Sequence, residues 1–283
     1  MRKRSAFVIL MVIVVCAASG VAVFLKGGRV TAKQTTYNTP KNIPNVTILI
    51  VYDNNPYKDG LATAWGFSCV IRGLEKTILF DTGGDGSILL TNMRKLGIDP
   101  GEIDLVVLSH IHADHVGGLH SFLLKNHEVT VYLPKSFPGK FKDSVKKCGA
   151  KIVEVRKPLR ICEQVYSTGE LGTWIKEQSL IIHTDKGLVV ITGCAHPGIV
   201  EIVKKAKDLV KDEVLLVMGG FHLVGESTDK IEKSVSGFKK LGVRYVGPCH
   251  CSGDTARRLF KKKYSEDFVN VGAGRLITME DLR

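Results

Sequence analysis

The 283-residue sequence has no internal repeat, no low-complexity tract and no framework spacing among its seven cysteines. The first two absences exclude a collagen-like fibre, and 44% hydrophobic content excludes a disordered polymer. Cys69, Cys148, Cys162, Cys194, Cys249 and Cys251 are scattered, so a disulfide-dense miniprotein is excluded too. Aromatic residues are sparse and do not interleave with basic ones. Lys146-Lys147, Lys239-Lys240 and Lys261-Lys262-Lys263 therefore read as solvated helix faces, and no nucleic-acid partner is expected. Acids are the scarcer charge, 28 against 40 Lys and Arg, for a net charge of +12. Such a surplus favours anionic surroundings, here a phosphorylated or carboxylated small molecule or an anionic membrane face.

The long uncharged run comes at the start. Arg2-Lys3-Arg4 precedes Ala6 to Leu25, which is closed by Lys26. Its 20 residues span, at helical rise, a hydrocarbon core of ~30 Å. Small residues at Ala17-Ala18-Ser19-Gly20 offer a signal-peptide cleavage site, but Val21 to Leu25 continues the apolar run. The expectation is a membrane anchor or signal segment over 1–29, a polar tether over 30–44 and a catalytic domain over 45–283. The slight basic bias at the N-terminus places that domain outside the cytoplasm, a membrane-anchored protein with a transmembrane helix. The scattered cysteines weigh against an oxidising compartment.

Beyond the tether, short β-branched runs alternate with segments of helical period. Strands are expected at Val46–Tyr52, Phe67–Arg72, Thr77–Phe80, Leu105–Leu108, Val129–Leu133, Leu180–His183, Leu188–Ile191, Val214–Val217 and Phe268–Val271. Helices are expected at Ser87–Leu96, His115–Leu124, Lys142–Lys147, Gly198–Leu209, Asp229–Leu241 and Asp254–Lys263. Strands cluster ahead of helices, which predicts an α/β (α+β) fold with two sheets and helices outside.

The densest chemical signal follows the strand Leu105–Leu108, in Ser109-His110-Ile111-His112-Ala113-Asp114-His115-Val116-Gly117-Gly118. At a strand exit His110 and His112 point to the same side, because side chains alternate with period two. Asp114 and His115 fall where a helix starts and can turn toward a second point beside the first. Four donors so close, between a strand and a helix, predict a metal centre.

His110-Ile111-His112-Ala113-Asp114-His115 resembles the H-x-H-x-D-H signature of the metallo-β-lactamase fold superfamily. Phe80-Asp81-Thr82-Gly83 looks like its first motif and Thr192-Gly193-Cys194-Ala195-His196-Pro197-Gly198 like its third. Gly247-Pro248-Cys249-His250-Cys251-Ser252-Gly253 lies where its last ligand histidine is expected. With Glu177-Gln178-Ser179-Leu180 and Gly219-Gly220-Phe221-His222-Leu223, the set is most similar to the dihydropterin–ribofuranosyl-aminobenzene-phosphate synthase-like branch. The resemblance implies a four-layer αββα sandwich of two mixed β-sheets. It implies one or two divalent ions, zinc foremost, with manganese or iron as alternatives. His110, His112 and His196 would form one site, and Asp114, His115 and His250 the second. His222 stands where many relatives carry a bridging aspartate, or lines the pocket; a neutral imidazole cannot bridge as a carboxylate does. Asp81 would stand behind the ligands as a hydrogen-bond acceptor, and Asp114 would also orient the nucleophile.

His120, His127 and His183 read as ordinary surface or turn residues. Cys194, Cys249 and Cys251 read as core packing, the last two pointing away from the metals if their segment is extended. The activity expected is metal-dependent hydrolysis of an ester, lactone or phosphodiester bond in a small anionic substrate. The alternative is a condensing or metal-redox enzyme on the same scaffold, similar to the pterin-precursor synthase.

Overall fold

The structure, a computed structural model, describes residues 46–282. Its first sheet begins with β1 (Thr47–Asp53), β2 (Phe67–Arg72) and β3 (Ile78–Phe80), joined in antiparallel order. Helix α1 (Gly86–Lys95) then leads to β4 (Leu105–Val107), and two short helices, α2 (Ala113–Val116) and α3 (Leu119–Leu123), to β5 (Thr130–Pro134). After α4 (Gly139–Lys147) comes β6 (Lys151–Val155), and β3 to β6 run parallel.

The second sheet starts with β7 (Leu159–Cys162), β8 (Val165–Ser167), β9 (Leu180–Thr184) and β10 (Gly187–Thr192), a run of antiparallel neighbours. Helix α5 (Ile199–Val210) crosses to β11 (Val214–Gly220), and α6 (Thr228–Lys240) to β12 (Tyr245–Cys249), so β10, β11 and β12 are parallel. Helix α7 (Gly253–Tyr264) precedes β13 (Leu276–Thr278), which returns to the edge of the first sheet beside β1. Both sheets are mixed, seven strands and six.

Alternation along the strands decides the layering. Ile48 and Ile50 of β1 join Ile182 of β9 and Val189 of β10 in one apolar cluster between the sheets. Their neighbours face the other way. Leu49 and Val51 pack with Leu89, Met93 and Phe122 under α1 and α3. Ile181 and Val190 pack with Ile202, Phe238 and Phe260 under α5, α6 and α7. Two sheets apolar on both faces, each covered by helices, give the expected four-layer αββα sandwich.

Several elements differ from the sequence-based expectation. The helix expected over His115–Leu124 divides at Gly117-Gly118. There a Cβ would fall 2.2 Å from the Gly84 carbonyl or 2.1 Å from that of Thr82, so only glycine lets the two loops touch. Phe268–Val271 is no strand; only Phe268 bridges to Val246, while Val269 and Val271 are buried in the core. β6, β7, β8, β12 and β13 went unassigned because they are short or irregular. β12 carries Gly247 and Pro248, a turn signal that an edge strand tolerates.

The expected membrane-anchored protein with an extracytoplasmic catalytic body is corrected. No helix among the described residues is long and apolar enough to cross a membrane. The run Ala6 to Leu25, on which the anchor or signal segment and the membrane partner rested, lies outside the described residues, as does the whole tether over 30–44.

Candidate metal centre

Chemistry-bearing residues gather where strands of both sheets end. β3 delivers Asp81, β4 leads through Ser109 to His110 and His112, and α2 holds Asp114 and His115. From the second sheet, β10 leads to Cys194 and His196, β11 to His222 and β12 to His250. All six sequence-predicted histidines come together. His110 Nε2 lies 3.1 Å from His112 Nδ1. The His196 ring is 4.8 Å from both, centroid to centroid. The His115 ring is 4.2 Å from His110 and 5.0 Å from His250. Asp114 Oδ2 sits 3.2 Å from His250 Nε2 and 3.5 Å from His115 Nε2.

Two buried carboxylates hold this cluster. Asp81 Oδ1 accepts the Ser109 amide at 2.7 Å, and Oδ2 accepts the Ser109 hydroxyl at 2.7 Å. The same Oδ2 lies 2.7 Å from His115 Nδ1, so that nitrogen carries the proton and Nε2 faces the cluster with its lone pair. Asp81 reaches this position from a left-handed backbone, φ 54°. Glu177, which was quoted only as part of the resemblance, is 1% exposed and lies just ahead of β9. Its Oε1 accepts the amides of Cys194 and Ala195, and Oε2 that of His196, each at 2.9 Å. Three successive N–H groups thus converge on one carboxylate, as they do in anion-binding nests.

Burial pushes the Glu177 carboxyl up, with those three amides opposing it. Burial would also raise Asp114, but the His250 and His115 imidazoles beside it hold it well below the usual carboxylate range. Burial and the neighbouring imidazoles keep His110 far below the usual histidine value and bring His196 down to about 4. His112 is lowered as well, chiefly by burial. These three rings are neutral at pH 7, the state in which imidazole coordinates. His115 departs in the opposite direction: burial lowers it, but the Asp81 charge and hydrogen bond outweigh that and raise it.

The cysteines divide. Cys249 packs in the core between the sheets, as expected. Cys194 and Cys251 are buried as expected, but against the imidazoles rather than within an apolar cluster. Cys194 Sγ lies 3.2 Å from His115 Nε2, and Cys251 shares a donor group with Cys194 and His222. Residues His250–Ser252 form a 3-10 turn rather than an extended segment, which brings Cys251 round to the cluster. The hydrogen bond with Cys251 and burial together hold the proton on Cys194. His222 sits at the rim, exposed, its ring 4.4 Å from His196, and it is grouped with the two thiols rather than with Asp114.

The donor set fits divalent ions. Two imidazole nitrogens on one tetrahedral zinc lie ~3.3 Å apart, given bonds of ~2.0–2.1 Å, close to the His110–His112 spacing. His196 Nε2 is buried and makes no hydrogen bond, a lone pair left for a cation. Asp114, His115, Cys194 and His250 could hold one ion, and His110, Cys194 and His196 another, with donor atoms in each set within 4.8 Å.

The family model of the metallo-beta-lactamase superfamily matches residues 66–209. The chain belongs to the metallo-beta-lactamase superfamily. It is 30% identical over 269 residues to the 7,8-dihydropterin-6-methyl-4-(beta-D-ribofuranosyl)-aminobenzene-5'-phosphate synthase of Methanocaldococcus jannaschii, covering 79% of this chain and 92% of that one. A solved metal-dependent hydrolase of the beta-lactamase superfamily is 31% identical with a TM-score of 0.69, covering 82% of this chain and 98% of that one. Human short-form tRNase Z, at 15% identity, TM-score 0.55 and coverage of 82% and 98%, shares the fold. The superfamily is one of enzymes, and its fold implies divalent metal binding.

Proposed function

We propose that this superfamily member is a metal-dependent hydrolase cleaving an ester, lactone or phosphodiester bond in a small anionic substrate. His110, His112 and His196 would hold one divalent ion and Asp114, His115 and His250 a second, with zinc foremost and manganese or iron as alternatives. The observation that carries the reading is the buried, unpartnered Nε2 of His196 among neutral imidazoles. Ions held there supply Lewis acidity and a source of hydroxide at neutral pH. The chain's own residues do the positioning. Asp81 fixes the His115 tautomer and Glu177 fixes the loop that presents His196. Asp114, whose side chain is 21% exposed, stands between the cluster and solvent, where its carboxylate can orient a nucleophilic water. Trp65, half exposed and 4.8 Å from the His250 ring, forms an apolar wall at the mouth. The net charge of +12 favours an anionic substrate in general terms.

A second reading, condensation of a pterin precursor, rests on the 30% identity to a protein named as a synthase. Metal analysis of the purified full chain, with phosphodiester, lactone and thioester panels beside a condensation assay, separates the two. The expected result is between about one and two ions per chain and hydrolysis in at least one panel. His112→Ala should lose metal and activity together, more than the ~10–100-fold that loss of an outer partner costs. Full activity of that variant after exhaustive chelation would overturn the reading.

A further inference from the structure

We infer that the Cys194 sulfur is a metal ligand shared between the two donor sets, standing in for the bridging carboxylate this chain lacks. The inference rests on the proposed metal centre but not on which bond the enzyme cleaves.

Position carries the argument. Among the described residues three groups of His, Cys or acidic donors have ligand atoms within 4.8 Å of one another, and Cys194 belongs to each. No other residue does. Its sulfur lies 3.2 Å from His115 Nε2, the nitrogen left with a lone pair once Nδ1 donates to Asp81. Nitrogen and sulfur on one tetrahedral zinc, with bonds of ~2.0–2.1 and ~2.3 Å, stand ~3.6 Å apart, so a shift of a few tenths of an ångström seats an ion between them. A second observation points to the same place. His250 is 1% exposed, and its buried Nε2 makes no hydrogen bond although Asp114 Oδ2 lies 3.2 Å away. His250 belongs, with Asp114 and His115, to the group that includes Cys194.

The cysteine is also held in place before any ion arrives. Glu177 Oε1 accepts its amide and the next one, and Ala195 has a left-handed backbone, φ 61°. Behind it, Gly193 has no room for a Cβ, which would fall 2.1 Å from Ser109 Oγ. His222 is a poorer bridge: its donor group holds only the two thiols beside it, and a neutral imidazole offers one lone pair at a time. A thiolate has several. On binding, the thiol proton passes to solvent and both S–metal bonds form from sulfur lone pairs, with no change of oxidation state. A soft donor between the sites favours zinc, cobalt or iron(II) over magnesium or calcium.

The test is cobalt(II) titration of the metal-stripped full chain in reducing buffer, followed by absorption. A near-ultraviolet sulfur-to-cobalt charge-transfer band should grow through about two equivalents. Cys251→Ser should keep the band. Cys194→Ser should lose it and bind the second equivalent roughly ten- to a hundredfold more weakly. Cys194→Asp should restore both equivalents without the band. Cobalt bound by the wild type with no such band overturns the inference and leaves the metal centre standing. A band that survives Cys194→Ser, or disappears in Cys251→Ser, overturns it as well. No cobalt bound at all overturns the metal centre and the inference together. The wild-type and Cys251→Ser spectra decide the matter even if the Cys194 variants do not fold.

Discussion

Asp81 and Glu177 stand behind the same cluster, one from each sheet, and hold it differently. Asp81 accepts two side-chain donors and one backbone amide; Glu177 accepts three backbone amides and no side chain. The first-sheet donors lie within six consecutive residues, where a strand exit and a helix start already set the backbone, and only ring orientation remains to be fixed. The second-sheet donors sit on three separate loops. Each needs its own backbone geometry, and Ala195, His222 and His250 all have positive φ. A side-chain clamp suffices for a contiguous motif, whereas donors on separate loops need backbone clamps and strain.

The sharpest way to break this contrast is to remove each carboxylate. Glu177→Ala strands three amides, two of them fully buried, at about 1–3 kcal/mol each, so urea unfolding should show a loss of ~3–9 kcal/mol or no folding at all. Equal destabilisation by Asp81→Ala would abolish the distinction. Asp81→Asn tests the other arm. It should leave stability within about 2 kcal/mol of wild type yet lower zinc affinity ~10–100-fold in a chelator competition, because the His115 ring is no longer held in its tautomer.

The smallest effect is in the pH dependence of the chelated protein. His196 has a folded value of about 4 against a reference of 6.5, so the unfolded state binds more protons between them. Stability should therefore fall as pH drops from 6.5 toward 4, and His196→Ala should flatten that limb by about 1 kcal/mol after allowing for solvent screening. His115 is raised, so its contribution is present below 6.5 and lost as pH rises through its folded value. Asp81→Asn should flatten that upper limb. Urea midpoints across the pH range read both, and one variant altering both limbs would undo the contrast.

The amino-acid sequence by itself determined the layering and half of the site. The grouping of strands called for two sheets with helices outside and the resemblance for four layers; Ile48 against Leu49 and Val189 against Val190 realise that layering because strand side chains alternate. His110, His112, Asp114 and His115 were legible for the same reason: their geometry is set within one strand-to-helix exit. The place of Cys194 beside the imidazoles was not legible, since it depends on His115, 79 residues away, and on Glu177 across the β9–β10 pair. Cys251 was read as a core residue pointing away from the metals on the condition of an extended segment, and a 3-10 turn reverses it. Glu177 entered only as part of the resemblance, with no role read from its own surroundings in the sequence. Only the packing of two sheets decided that it is buried against three amides, because the loop it binds adopts its shape only when both strands are in place.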